Sequence, residues 1–254
     1  MVTPKERKST RERIAECCRK LILSQRMVEL CEQESTPKQE EFLAYVLEQE
    51  ILRREQNKRT RQLNRACFPV MKSFEGYEFG TIRFPPALMR EDLLSCRFVG
   101  EKKNLILYGP VGVGKTHLAI ALGVKACDMG MSVRFHTVTE LVLRLGEAHR
   151  SGTMEKLVRD LRKLDLLILD EWGYVPVDKE GSQLLFRVVA DSYESKSLIL
   201  TTNLEFSKWG GIFTDEQMAA AMIDRLIHHG HLLLFEGQSY RMTHALMRQT
   251  AGTG

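Results

Sequence analysis

The spacing of apolar positions changes character about a third of the way along this chain. At first it is helical: Ile14, Cys18, Leu21 and Val28 fall roughly on one side of a segment that Ser9-Thr10-Arg11-Glu12 opens in capping-box form. Thr36-Pro37-Lys38-Gln39 repeats the signal, with Thr36 as N-cap, Pro37 at the first helical position and Gln39 at N3. It precedes a longer helix carrying Phe42, Val46, Leu47 and Ile51 and running to about Arg65. Two helices therefore predict a small N-terminal helical domain, residues 1–68, that binds DNA or a partner. Phe74 to Phe84 reads as an irregular linker whose aromatics Phe74, Tyr77, Phe79 and Phe84 either line a base pocket or pack against the core.

Beyond the linker, short apolar runs alternate with helical stretches. Strands are predicted at Asn104 to Tyr108, Ser132 to His136, Leu166 to Asp170, Leu198 to Thr202 and His231 to Phe235, with helices between them. Runs such as Leu105-Ile106-Leu107 and Leu166-Leu167-Ile168-Leu169 lack a polar face, which implies burial on both sides. The expected fold is α/β, a five-stranded parallel sheet with flanking helices occupying residues 69–254. About nineteen residues follow the fifth strand, too few for a separate C-terminal lid.

Composition changes this picture little: 43% hydrophobic and 28% charged residues in 254 suit one full core with a small appendage. No apolar run reaches the roughly 18 residues of a membrane span, and the start is too charged for a signal peptide, so no membrane role and a cytoplasmic location are expected. The six cysteines show no metal-binding spacing. Charge is more telling. Residues 1–72 hold sixteen Lys/Arg against eleven Asp/Glu, a surplus of five, whereas the remainder holds 21 against 22. The surplus concentrates at Arg53, Arg54, Lys58, Arg59, Arg61, Arg65 and Lys72, where only Glu55 opposes it. Such a density suits either a nucleic-acid phosphate contact or a solvated helix face. Lys156, Arg159 and Lys163 form a second basic face, opposite Leu157, Leu161 and Leu164, with the same two readings.

The chemistry sits after the first strand. Gly109-Pro110-Val111-Gly112-Val113-Gly114-Lys115-Thr116 is a P-loop between the strand Asn104 to Tyr108 and the helical stretch Thr116 to Cys127, with His117 next in line. Its backbone N–H groups cradle phosphates, Lys115 reaches the β and γ phosphates, and Thr116 is placed for Mg²⁺. No guanine-reading N-K-x-D string is present, which favours ATP. The third strand ends in Asp170-Glu171, a Walker B pattern in which Asp170 holds Mg²⁺ and Glu171 activates the attacking water. Asn203, after the fourth strand, is placed to sense the γ-phosphate or to cap a helix, and Arg225 and Arg241 are candidates to meet that phosphate. His228, His229 and His231 lack ligand partners at metal spacing. No acceptor pocket for a small-molecule phosphotransferase is legible.

These motifs together resemble the initiator and helicase-loader clade of AAA+ ATPases. Leu107-Tyr108-Gly109-Pro110 through Lys115-Thr116-His117-Leu118-Ala119, Asp170-Glu171-Trp172-Gly173-Tyr174 with Pro176, Ser207-Lys208-Trp209-Gly210, Ile223-Asp224-Arg225-Leu226 and Ser239-Tyr240-Arg241 resemble the IstB transposition helpers of bacterial insertion sequences, to about Met247. DnaC-type helicase loaders share the catalytic positions. The resemblance implies an ATPase using Mg²⁺ that assembles on double-stranded DNA as a ring or spiral through its ATP interface. The resemblance further implies a cognate transposase that carries the strand-transfer chemistry; this chain shows no transposase-like acid triad of its own. Within the resemblance, Lys115 and Thr116 are Walker A, Asp170 and Glu171 Walker B, Asn203 the first sensor, Arg225 a finger acting in trans and Arg241 a second-sensor-like residue. A helicase loader is the alternative the resemblance leaves.

Overall fold

The computed structural model describes residues 4–173, 178–213 and 215–243. The chain splits into two compact units, Met1–Arg61 and Gln62–Gly254.

The first unit holds α1 (Pro4–Leu21), α2 (Arg26–Glu34) and most of α3 (Pro37–Ala66). Ile14, Cys17, Cys18, Leu21, Cys31, Ala44 and Leu47 form its small core. Glu40, with no side-chain exposure, accepts hydrogen bonds from Arg7, Arg11 and Ser35. Burial opposes its ionisation, but these donors outweigh burial and bring its pKa down to about 2. The cap of α3 forms as its sequence implies: Thr36 N donates to Gln39 Oε1 at 2.8 Å, and Gln39 N donates to Thr36 Oγ1 at 3.4 Å.

The single first helix expected across Ser9 to Val28 is corrected to two. Ser9 and Thr10 lie inside α1, where Thr10 Oγ1 donates to Glu6 O and Glu41 Oε2 and caps nothing. The helix stops at Ile22, which takes a left-handed φ of 59° while Leu23 N reaches back to Cys18 O at 2.8 Å. This is a Schellman stop without its usual glycine, which is why the sequence conceals it. Val28 joins the same core from α2.

The second unit is built on a six-stranded sheet in the order β1-β6-β2-β5-β4-β3. The strands are β1 (Ile82–Arg83), β2 (Asn104–Tyr108), β3 (Val133–Thr137), β4 (Leu166–Trp172), β5 (Ser197–Thr202) and β6 (Gly230–Phe235). β2 to β6 run parallel, as expected. The sixth strand is a correction: β1 lies within the segment read as irregular and pairs antiparallel with β6. Two residues are too few for any periodicity to reveal.

Short α4 (Arg90–Leu94) and α5 (Arg97–Gly100) precede β2, and α6 (Lys115–Asp128) follows it. α7 (Val138–Arg150) and α8 (Met154–Arg162) separate β3 from β4. α9 (Lys179–Ser192) leads to β5, and α10 (Glu216–His228) to β6, before α11 (Tyr240–Thr243). Successive strand residues enter different cores. Leu105, Leu107 and Ile168 pack with α6, whereas Ile106, Leu167 and Leu169 pack with residues of α7, α9 and α10. Burial on both faces explains the continuous apolar runs. Among the described residues, no helix is long and apolar enough to cross a membrane. Tyr174, Pro176, Met247 and any C-terminal lid lie outside the described residues.

Candidate functional site

The parallel strands end along one edge, and the candidate residues gather there from β2, β4 and β5. Leaving β2, the chain turns through Gly109, whose N donates to Thr202 O on β5 at 3.2 Å. A Cβ on Gly109 would stand 2.4 Å from the Phe235 carbonyl oxygen, so only glycine passes. Gly112 and Gly114 take φ of 83° and 94°, between them the turn into α6. Val111 is exposed at the tip, and Val113 packs against the core. Pro110 carries one of the carbonyls that hold Lys115: Nζ donates to Pro110 O at 2.6 Å and to Gly109 O at 2.8 Å. Burial lowers the Lys115 pKa to about 8, with Asp170 opposing and the Arg241 charge adding to the fall. The lysine is thus a desolvated cation held by neutral carbonyls, poised for a stronger anionic partner.

Asp170 is the centre of the site. Thr116 Oγ1 donates to its Oδ1 at 2.9 Å, and Thr201 Oγ1 donates to the same oxygen. Thr201 also accepts from Glu171 N at 3.1 Å, so one hydroxyl fixes both acids. Glu171 has a left-handed φ of 61°, a conformation costing about 1 kcal/mol or more in a residue with a Cβ. It turns the carboxylate away from the buried register of β4 into an exposed position beside a hollow of about 350 Å³ walled by Val138, Val142 and Leu184. Asn203 stands exposed directly after Thr202, adjoining the start of the loop.

The two arginines part company. α11 is tied to the loop by Tyr240 N donating to Gly112 O at 3.0 Å, which brings Arg241 close enough to depress Lys115. Arg225 lies at the opposite end. Its neighbour Leu226 accepts from Asn104 Nδ2, at the first residue of β2, at 3.3 Å. That end is a strand length, ~17 Å, from the P-loop. Arg225 instead donates to Ala221 O at 2.9 Å and lies 5.2 Å over the Phe186 ring.

The other expected residues are peripheral. His117 Nε2 pairs with Ser73 O at 2.8 Å, and its ring lies 4.9 Å from Tyr77. Phe74, Tyr77, Phe79 and Phe84 all pack in or against the core, and Tyr77 Oη donates to Gly114 O of the loop at 3.2 Å. Arg53, Arg54, Lys58, Arg59 and Arg61 are exposed on α3, with Arg54 paired to Glu50 outside the basic run at 2.8 Å. Lys156, Arg159 and Lys163 are exposed at α8, and Lys163 pairs with Asp160 at 3.4 Å. Sequence reasoning missed Thr201, although Leu200-Thr201-Thr202-Asn203 contained the signal: a hydroxyl in a buried strand opposite an acid. It also missed the seating of Ser239 and Tyr240 on the loop. A Cβ on Gly112 would meet Ser239 Oγ at 2.1 Å.

This assembly of a glycine loop, buried lysine, threonine and paired acids at a sheet edge is that of a P-loop nucleotide site. The model of the family described as IstB-like ATP binding protein matches residues 21–248. The chain belongs to that family. The protein named as the ATP-binding protein of insertion sequence IS21 in Pseudomonas aeruginosa is 42% identical over 205 residues, covering 80% of this chain and 76% of that one. The corresponding IS5376 protein of Geobacillus stearothermophilus is 35% identical over 237 residues, 91% and 94% of the two chains. Among solved structures, the DnaC helicase loader superposes with a TM-score of 0.52 at 22% identity, covering 69% of this chain and 99% of that one. DnaI gives 0.54 at 19% identity, over 65% and 91%. These two show a shared P-loop AAA+ fold. This IstB-like protein carries its P-loop at the carboxyl edge of the sheet.

Proposed function

We propose that this IstB-like protein is an ATPase whose nucleotide state governs its assembly on double-stranded DNA, where it helps a cognate transposase select or prepare target DNA. The observation that carries the reading is the shared Asp170 oxygen, which joins the P-loop threonine to the strand bearing Glu171. The insertion-sequence relatives supply the context.

The residues divide the work. Lys115 leaves the carbonyls of Gly109 and Pro110 for phosphate oxygens, and its proton is held more firmly as that negative charge arrives. Thr116 and Asp170 offer the oxygen donors that suit a hard divalent cation, so Mg²⁺ fits this site, where it would neutralise phosphate charge. Glu171 orients and deprotonates water, Asn203 reads the γ-phosphate, and Arg241 reads it from the same chain. Arg225, remote from its own P-loop, serves the site of an adjacent subunit, which ties hydrolysis to a ring or spiral. The N-terminal domain, 1–68, presents Arg53, Arg54, Lys58, Arg59 and Arg61 to DNA phosphates, and α8 presents Lys156, Arg159 and Lys163.

The test is the mass distribution of the purified protein on a duplex and on a single strand of equal length, with ADP and with a non-hydrolysable ATP analogue. Large assemblies on the duplex that need the analogue are expected. Assembly on single strands alone would replace this reading with that of a helicase loader.

A further inference from the structure

β3 is the last strand of the sheet, so one side of its backbone meets no other strand among the described residues. Against that free edge lies a recess of about 520 Å³ surrounded by Arg134 and His136 of β3, Arg144 of α7, Lys163 and Arg65. Asp160 is the one acid among its described lining residues, and it is already taken up by Lys163. Arg65, Arg134 and Arg144 have no carboxylate partner among the described residues. Arg134 Nη1 instead donates to a thiol, Cys67 Sγ, at 3.5 Å. His136 adds no charge of its own: burial, with the nearby Arg144 and Arg134 and against the opposing Glu140, brings its pKa down to about 4. Three guanidiniums and Lys163 line this recess against the single lining acid Asp160, an excess of positive charge whose mutual repulsion a bound anion relieves. Their planar forks match phosphate oxygens.

The shape discriminates between anions. A second hollow of about 290 Å³ shares Arg144, Leu157 and Asp160 with the first and extends to Lys156 and Glu147, so the recess opens along α8 through a surface of mixed charge instead of closing around one ion. Apart from His136, no ring lines the recess among the described residues, and none is offered for stacking a free nucleotide base. Charge and continuity suit a polyanion.

We propose that this recess grips consecutive phosphates of a nucleic-acid backbone, with Arg134 and Arg144 as principal contacts and Arg65 beside them. The inference rests on the DNA-binding reading above and adds Arg134 and Arg144, which lie outside both basic faces that the sequence suggests, beside Arg65 from the end of the first.

Two readouts test it on the full chain. The double variant Arg134→Gln/Arg144→Gln is expected to lower the slope of log affinity against log salt for a labelled duplex by about two, near 0.9 per lost phosphate contact. Arg65→Gln and Arg144→Gln, each at an exposed position, should lower it by about one apiece. Unchanged affinity for a fluorescent ATP analogue verifies that each variant is folded. The second readout is alkylation of Cys67, the one exposed cysteine beside five buried ones, which a saturating duplex should slow in the wild type. A wild type that binds duplex while the variants keep its slope overturns the recess alone. Equal protection of Cys67 by inorganic phosphate at matched ionic strength overturns the polynucleotide assignment. A wild type that binds no duplex overturns the DNA-binding reading together with the recess.

Discussion

The two ends of the same parallel sheet treat buried polar groups in opposite ways. At the amino end they are closed on one another. Asn104 donates to Leu226 O and accepts from Leu198 N at 2.9 Å, Ser197 Oγ donates to Phe98 O at 3.0 Å, and Asp165 accepts from both the N and the Oγ of Ser132 at 2.8 Å. Lys196, 1% exposed, donates to Leu161 O. At the carboxyl end the same kinds of group are held provisionally. Lys115 rests on two carbonyls and one oxygen of Asp170 serves two hydroxyls, beside the exposed Glu171 with its left-handed backbone. Burial alone therefore does not mark a site. What marks it is burial combined with partners that a ligand can better.

Four experiments press on that contrast. The largest effect is expected from Lys115→Ala, which should cut ATP hydrolysis by ~10²–10³-fold while leaving the unfolding midpoint unchanged or raised, because a desolvated cation is lost. Steady-state turnover beside thermal unfolding checks it; a large loss of stability would mean that Lys115 is as structural as Lys196.

Next comes pH. Burial brings the Lys196 pKa from 10.5 to about 8. Below about 8 both folded and unfolded forms are protonated and the full cost of burying the charge is present. Between about 8 and 10.5 the unfolded form binds the extra proton, so stability rises with pH. Relative to Lys196→Met, the wild type should gain up to ~3 kcal/mol across this window, read by denaturant unfolding at each pH. A constant difference would show that the lysine is charged in the fold throughout.

Asn104→Ala should cost about 2–3 kcal/mol of stability by orphaning two buried backbone groups, yet leave turnover per folded molecule intact. Reduced turnover in the folded fraction would couple the two ends. The smallest effect on stability is a gain: Glu171→Gly should stabilise the fold by ~1 kcal/mol by releasing the left-handed strain. Absence of stabilisation would place the strain elsewhere.

The sequence announces the carboxyl end far more clearly than the amino end. A glycine loop and an apolar strand ending in Asp-Glu are local strings whose geometry follows from backbone sterics and phosphate chemistry. Asn104, Ser197 and Lys196 belong to no string, since their partners lie up to 122 residues away in the chain. For the same reason no local string announces Arg134 and Arg144 as neighbours of Arg65, whereas the runs at Arg53 to Arg65 and Lys156 to Lys163 are legible in the sequence. The short β1 and the break at Ile22 were hidden differently, one below the length of any period and the other lacking the glycine that usually signals it.

Arg225 joins the two ends of this account, because it stands at the amino end of its own sheet yet is assigned to the nucleotide edge of a neighbour. Mixing Arg225→Ala and Glu171→Gln subunits, each inactive alone, tests this most directly. At concentrations where the protein assembles, the mixture should recover part of the wild-type hydrolysis rate, since some junctions then hold an intact Glu171 opposite an intact Arg225. No recovery at all, with mixed assemblies verified by mass, would contradict a site completed between subunits.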